Sequence, residues 1–291
     1  LRTLTVIRDA EAAIQKKDPS FSIRKLDYDD AATYKMLGQG ETEGVFQLES
    51  SGMKQVLVGL QPQNLEDVIA LISLYRPGPM DSIPTYLRNR HEPDKISYKT
   101  PQLAHILDVT NGCIVYQEQV MQIFRELAGF SFGQADNVRR AMSKKKHAVM
   151  EAEREHFVHG CTEPGHECPG CVANGISEKV ANEIYDEMSS FASYAFNKSH
   201  AACYAYVAFQ TAYLKCHYPS EFMAALLTSV LDNTDKVIEY SGECARLGIK
   251  VLPPDVNISN GGFTADNGKI RFGLNAVKNV GRNLIERVVE E

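Results

Sequence analysis

At 291 residues, 44% hydrophobic and 23% charged, the chain has an ordinary globular composition and enough length for one large or two smaller cores. Its formal net charge of −6 argues against coating nucleic acid by bulk charge, and leaves room for a local basic site. Seven cysteines, an odd number, with no secretory signal and no apolar run of the roughly 20 residues a membrane helix needs, point to a reducing cytoplasmic compartment rather than a disulfide scaffold.

Residues 1–17 place Leu4, Ile7, Ala10, Ala13 and Ile14 at three- and four-residue steps and are expected to be helical. Residues 27–37 read as a second helix with an acidic start, stopped at Gly38. Residues 60–74 read as a third, capped by Asn64 with Glu66 and Asp67 in its first turn. The stretch 77–101 holds five prolines and reads mostly as loop. Residues 114–127 and 135–156 have helical patterns separated by Gly129 and Gly133. Residues 177–188 keep Val180, Ile184 and Met188 in register. In 201–218, Tyr204, Val207, Ala208, Thr211 and Leu214 share a face, with Ser199 as the expected N-cap and Pro219 as the stop. Helices over 221–231 and 235–247 follow, the latter ended by Gly248. Asp266-Asn267-Gly268-Lys269 between apolar residues signals a hairpin. The expected fold is therefore mainly α, a multi-helix domain with a small β-hairpin element near the C-terminus. A start at Leu1 and a helical pattern running into Glu290-Glu291 suggest a piece of a longer protein.

Several clusters carry chemistry. Phe196-Asn197-Lys198-Ser199-His200 sets a lysine and a histidine at a helix mouth, where unpaired N–H groups and the dipole suit a phosphate. Arg139 and Arg140, followed by Lys144-Lys145-Lys146-His147, form the densest cationic cluster, and guanidinium forks grip phosphate bidentately. A solvated helix face, with Asp136 paired to Arg140, is the competing reading. Arg76 precedes the stiff Pro77-Gly78-Pro79 turn, and Arg88, Arg90 and His91 follow it, making a modestly basic loop. Cys161, His166, Cys168 and Cys171, with His159 nearby, have the makeup of a structural Zn²⁺ staple across loop 156–175; three free thiols are the alternative. Cys113, Cys203, Cys216 and Cys244 read as core residues. The segment 272–283, with Lys278 and Gly281, resembles the first half of a helix-hairpin-helix.

The strings FNKSHAACYAYVAFQTAYLKCHYP, GVFQLESSGM from Gly44, YRPGPM from Tyr75, VYQEQVMQI from Val115, RRAMSKKK from Arg139 and LPPDVN from Leu252 follow an opening Leu1-Arg2-Thr3-Leu4-Thr5. In this order they resemble the fingers region of the alpha subunit of bacterial DNA polymerase III, a family C replicative polymerase. The cysteine-rich loop departs from most members. The resemblance implies that Arg139 and Arg140, with Lys144 and Lys198, grip the triphosphate of an incoming dNTP while His200 stands beside its sugar. It implies Arg76, Arg88 and Arg90 near the template path, and Lys278 and Gly281 on DNA. It divides the chain into a fingers domain over 1–230 and a 231–291 extension beginning a helix-hairpin-helix region. It further implies primer–template DNA as partner, a sliding clamp and clamp-loader or other holoenzyme subunits around the parent, and no membrane partner. Mg²⁺ in the parent would rest on three palm aspartates outside these residues, leaving the chain alone inactive. An error-prone paralogue of the family, or a zinc-stapled nucleic-acid or protein-binding module with no nucleotide site, stay open as alternatives.

Overall fold

The computed structural model describes residues 2–144, 147–192 and 196–290, apart from the side chains of residues 143, 147, 148, 192 and 282. Helix α1 (Arg2–Gln15) follows the expected stripe and buries Val6, Ile7, Ala10 and Ile14. Helix α2 (Ala31–Gly38) starts later than expected, because Asp30 caps it, its carboxylate accepting from Thr33 N at 2.8 Å. Helix α3 (Ser51–Leu60) was not expected; Ser50 caps it, and Met53, Leu57 and Leu60 face inward. It is separate from α4 (Leu65–Leu74), which is buried from Asp67 onward.

The proline-rich stretch is also more helical than its composition suggests. Helix α5 (Ile83–His91) accepts Pro84 in its first turn, where no backbone N–H is required. After the single turn α6 (Ala104–Leu107), α7 (Gln117–Ala128) ends at Gly129, whose φ of 74° suits glycine. Helix α8 (Phe132–Ser143) begins with a reciprocal cap: Gln134 N donates to Ser131 Oγ and Ser131 N to Gln134 Oε1. Gly133 therefore lies inside a helix and not between two.

Helix α9 (His147–His159), the turn α10 (Gly170–Ala173), α11 (Glu178–Ala192) and α12 (Lys198–His217) follow. Then come α13 (Pro219–Ser229), α14 (Thr234–Arg246) and, at the end, α15 (Arg282–Glu290). The hairpin forms as β2 (Thr264–Asp266) and β3 (Lys269–Arg271), with Asn267 and Gly268 both at positive φ, 47° and 75°. A further strand, β1 (Val251–Leu252), pairs parallel with β3, so the sheet order is β1-β3-β2. The mainly helical fold with a small β element is as the sequence implies.

The chain divides into two compact units, one of residues 1–65 with 205–291 and one of residues 66–204. In the first, the α1 stripe packs with Phe222, Met223 and Leu227 of α13, Tyr240 and Cys244 of α14, and Ile270 of β3. The second is centred on Phe124, Phe157 and Tyr185, whose ring centroids lie 5.0 to 6.0 Å apart in edge-on and tilted pairs.

Candidate phosphate-binding cleft

In the second unit, backbone bonds tie the lead-in of α7 to the lead-in of α12. Gln117 N donates to Phe196 O at 2.9 Å and Phe196 N to Val115 O at 3.4 Å, giving a parallel bridge between Tyr116 and Phe196. The buried Gln119 braces this junction. Its Oε1 accepts from Val115 N and Tyr116 N at 2.9 and 3.0 Å, while its Nε2 donates to Ile106 O and Thr110 Oγ1. All of its hydrogen-bonding capacity is spent on holding Gln117 and Glu118 beside the mouth of α12.

That mouth differs from the sequence expectation in two respects. Asn197, not Ser199, is the cap: His200 N donates to Asn197 Oδ1 at 2.9 Å, and Ser199 lies within the helix. The mouth is also occupied. Lys198 N donates to both carboxylate oxygens of Glu118, at 3.2 and 3.1 Å, and Asn197 Nδ2 donates to Glu118 Oε1 at 3.0 Å. A carboxylate of the chain itself thus sits where a phosphate was expected, its oxygens standing in for phosphate oxygens.

Around it, the Lys198 ammonium pairs with Glu66 at 3.0 Å and lies 5.2 Å from the centre of the Tyr116 ring. The Arg76 guanidinium covers the face of Phe196 at 3.8 Å, and burial pushes its pKa below the usual arginine value. Arg139 is mostly buried, its side chain 18% exposed. Nε and Nη2 donate to Asp136 Oδ1 at 3.0 and 2.7 Å, and Nη1 donates to Gln117 Oε1 at 3.0 Å. These bonds hold the Asp136 carboxyl below the usual carboxylate range. Arg140, 65% exposed, bonds the other oxygen of Asp136 at 2.8 Å, so the i,i+4 ion pair of the competing reading is present.

Gln117, Glu118, Arg125, Asp136, Arg139 and Asn197 line one cleft of about 460 Å³. The structure therefore brings Arg139 and the mouth of α12 together. Arg140, Lys144, Lys198 and His200 are outside the lining set. Lys144 is exposed at the end of α8, and His200 is exposed with its ring 5.3 Å from Phe196 and 4.6 Å from Tyr204. Lys145 and Lys146, and the side chain of His147, lie outside the described residues. Sequence reasoning missed Gln117, Glu118 and Arg125; Gln117 and Glu118 stand in the VYQEQVMQI string, read there only as a family marker.

The remaining expected positions are scattered. Arg88 is exposed on the last turn of α5, while Arg90 pairs with Asp67 at 3.2 Å. Lys278 and Gly281 are exposed just before α15, and a Cβ added at Gly281 would meet nothing within 4 Å. The first unit holds a cleft of about 340 Å³ lined in part by Arg2, Phe46, Gln47, Glu49 and Lys236, with Gln47 at a φ of 65°.

The zinc set does not assemble. Among the described residues no group of three or more His, Cys, Asp or Glu side chains converges to hold a metal ion. Cys161 and Cys168 face each other across a backbone bridge, and the Cys168 thiol donates to His156 O at 3.6 Å. Cys171 is fully buried, which pushes its thiol up to about 12, and the His166 ring lies against His156, centroids 6.4 Å apart. No helix among the described residues is long and apolar enough to cross a membrane.

Residues 3–165 match the model of the bacterial DNA polymerase III alpha subunit finger domain, and residues 248–291 match a helix-hairpin-helix motif. Over its full length the chain is 48% identical to the DNA polymerase III subunit alpha of Thermus aquaticus, covering 24% of that protein. It is 44% identical to the corresponding subunit of Bacillus subtilis over 99% of the chain, and 44% identical to that of Escherichia coli over all of it, covering 25% of each. The chain spans about a quarter of the length of the curated relatives it matches.

Proposed function

The chain belongs to the bacterial DNA polymerase III alpha subunit finger domain family, and from that premise we propose that it seats the triphosphate of an incoming dNTP and contacts templating DNA during DNA synthesis. The observation that supports this most is the cleft shared by Arg139 and the mouth of α12. Arg139 offers a planar fork already oriented by Asp136 and Gln117. The mouth of α12 offers backbone N–H groups now bonded to Glu118. A polyphosphate carries more charge than one carboxylate and exchanges for Glu118 at the mouth and for Asp136 at the guanidinium. Arg140, Lys144 and Lys198 add positive charge around the cleft, and His200 borders the sugar.

Lys278, Gly281 and the N-terminal turn of α15 take the DNA backbone. Gly281 leaves room for a phosphate to approach closely. Mg²⁺, on this reading, belongs to palm aspartates elsewhere in the parent polymerase. The chain by itself does not polymerise. Clamp, clamp loader and other holoenzyme subunits are partners of the parent.

The test is steady-state kinetics in a polymerase that contains the palm. Arg139→Ala is expected to raise the dNTP KM or lower kcat at least tenfold, about 1.4 kcal/mol of transition-state stabilisation. Arg140→Ala acts through charge alone and costs less. If neither substitution reaches tenfold, the triphosphate role is wrong.

A further inference from the structure

The loop between α9 and α10 has a chemistry that nucleotide binding does not use. Cys161 N donates to Cys168 O and Cys168 N to Cys161 O, both at 2.9 Å. The two cysteines are therefore a directly opposed antiparallel pair, with Cα atoms about 5.5 Å apart and side chains on the same face. That spacing falls within the range a disulfide spans. The neck of the loop has little slack: a Cβ on Gly160 would lie 2.5 Å from Pro169 O, and one on Gly170 would lie 2.3 Å from Gly160 N. The two backbones touch immediately beside the paired cysteines, so thermal motion does not separate them far.

We propose that Cys161 and Cys168 form a reversible thiol–disulfide switch, closed by a small-molecule disulfide of the glutathione class. Cys161 is partly exposed, whereas Cys168 is 8% and Cys171 0% exposed. Cys161 is accordingly the thiol that a soluble disulfide reaches. Its thiolate attacks one sulfur of the small disulfide, forming a mixed disulfide and expelling one thiolate. Cys168, as thiolate, then attacks the Cys161 sulfur and expels the second. Two protein thiols are oxidised, one small disulfide is reduced to two thiols, and the two protons given up by the cysteines pass to the leaving groups.

Hydrogen-bonded strand pairs hold their Cβ atoms near the wide end of about 4.5–5.5 Å, and a relaxed disulfide wants about 3.8 Å. Closure therefore pulls the strands together slightly, which makes the bond easier to reduce and suits a switch better than a permanent staple. Cys171 sits on the far side of the Cys168-Pro169-Gly170 turn inside the apolar core and takes no part.

The experiment equilibrates the full chain, with chelator present, in buffers of varied reduced-to-oxidised glutathione ratio, then alkylates free thiols and maps linkages by peptide mass spectrometry. The exposed Cys203 reports that thiols react in the same sample. The expected result is a Cys161–Cys168 linkage, 2 Da lighter than the dithiol, that reverses on returning to reducing buffer. Cys171→Ser keeps the linkage and Cys161→Ser abolishes it. Four results overturn the proposal: a Cys168–Cys171 linkage in the unmodified chain, Cys161 remaining as a mixed disulfide, no change at either residue while Cys203 reacts, or near-stoichiometric zinc in unchelated protein that shields all three thiols.

Discussion

Two adjacent arginines in one sequence motif have unequal positions. Arg139 is wedged between Asp136 and Gln117 at the cleft, and Arg140 bonds the same carboxylate from the solvent side. The family string marks both equally, so the difference was not legible before the packing of α7 beside α8 was known. Glu118 was less legible still. It is 80 residues from the helix mouth it fills, and nothing in local spacing announces that closure. Its placement leads to a specific expectation. A carboxylate at a helix N-terminus stabilises the empty state and competes with any other anion, each interaction being worth about 0.3–1 kcal/mol. Glu118→Gln removes the charge while keeping most of the shape. Fluorescence titration with a dNTP is expected to show about two- to fivefold tighter binding; weaker binding would mean that Glu118 positions the ligand rather than excluding it.

At the scale of elements, helices with a clear 3.6-residue stripe were readable, and their starts were not. Capping decides starts: Asn197 caps α12 in place of the expected Ser199, Asp30 starts α2 later than expected, and Ser131 starts α8 ahead of residue 135. Pro84 misled for a related reason: proline density argues for loop only when the residues fall inside a helix, and this one falls in a first turn. The I′ hairpin was legible from Asn267-Gly268, whereas β1 was not, because two residues carry no period. The loop neck offers a check on the same reasoning. Gly160 combines a φ of 87° with backbone atoms 2.5 Å from where a Cβ would lie. Gly160→Ala is expected to lower stability by about 1–3 kcal/mol in denaturant melts, through both strain and clash. Gly281→Ala, with open space and ordinary backbone, is expected to leave the midpoint unchanged. Equal effects would show that the tight neck does not form.

For the molecule as a whole, acid sensitivity follows from buried carboxylates in the first unit. Burial alone pushes Glu243 up, but hydrogen bonds from Arg246 and Lys215 outweigh it and hold its pKa below the usual value. Glu221 behaves likewise, burial being outweighed by Lys17 and Ser220. A carboxyl with a depressed folded pKa contributes stability that is complete above its unfolded value, near 4.5, and is lost as pH falls through the folded value. Denaturant midpoints measured between pH 7 and pH 3 should therefore stay flat down to about 5 and drop below it. Glu243→Gln should start lower at pH 7 and fall less steeply. Lys215 is fully buried and donates to Glu41 O, Glu43 O and Glu243, so Lys215→Met is expected to cost about 3 kcal/mol by leaving the two carbonyls without this donor and Glu243 with one cation fewer, Arg246 still holding it.

The net charge sets the last expectation. A chain at −6 gains nothing from its overall field near DNA, so any association rests on a few local cations, each displacing counterions from about one phosphate. The plot of log affinity against log salt for a duplex should then have a shallow slope, on the order of −0.9 per contacted phosphate. Exposed Lys278, in the helix-hairpin-helix match, is one such cation. Lys278→Ala is expected to reduce the slope by about one unit and to weaken all sequences alike, because a phosphate contact carries no base information. An unchanged slope would remove Lys278 from the DNA surface, and a sequence-dependent loss would mean that it reads bases instead.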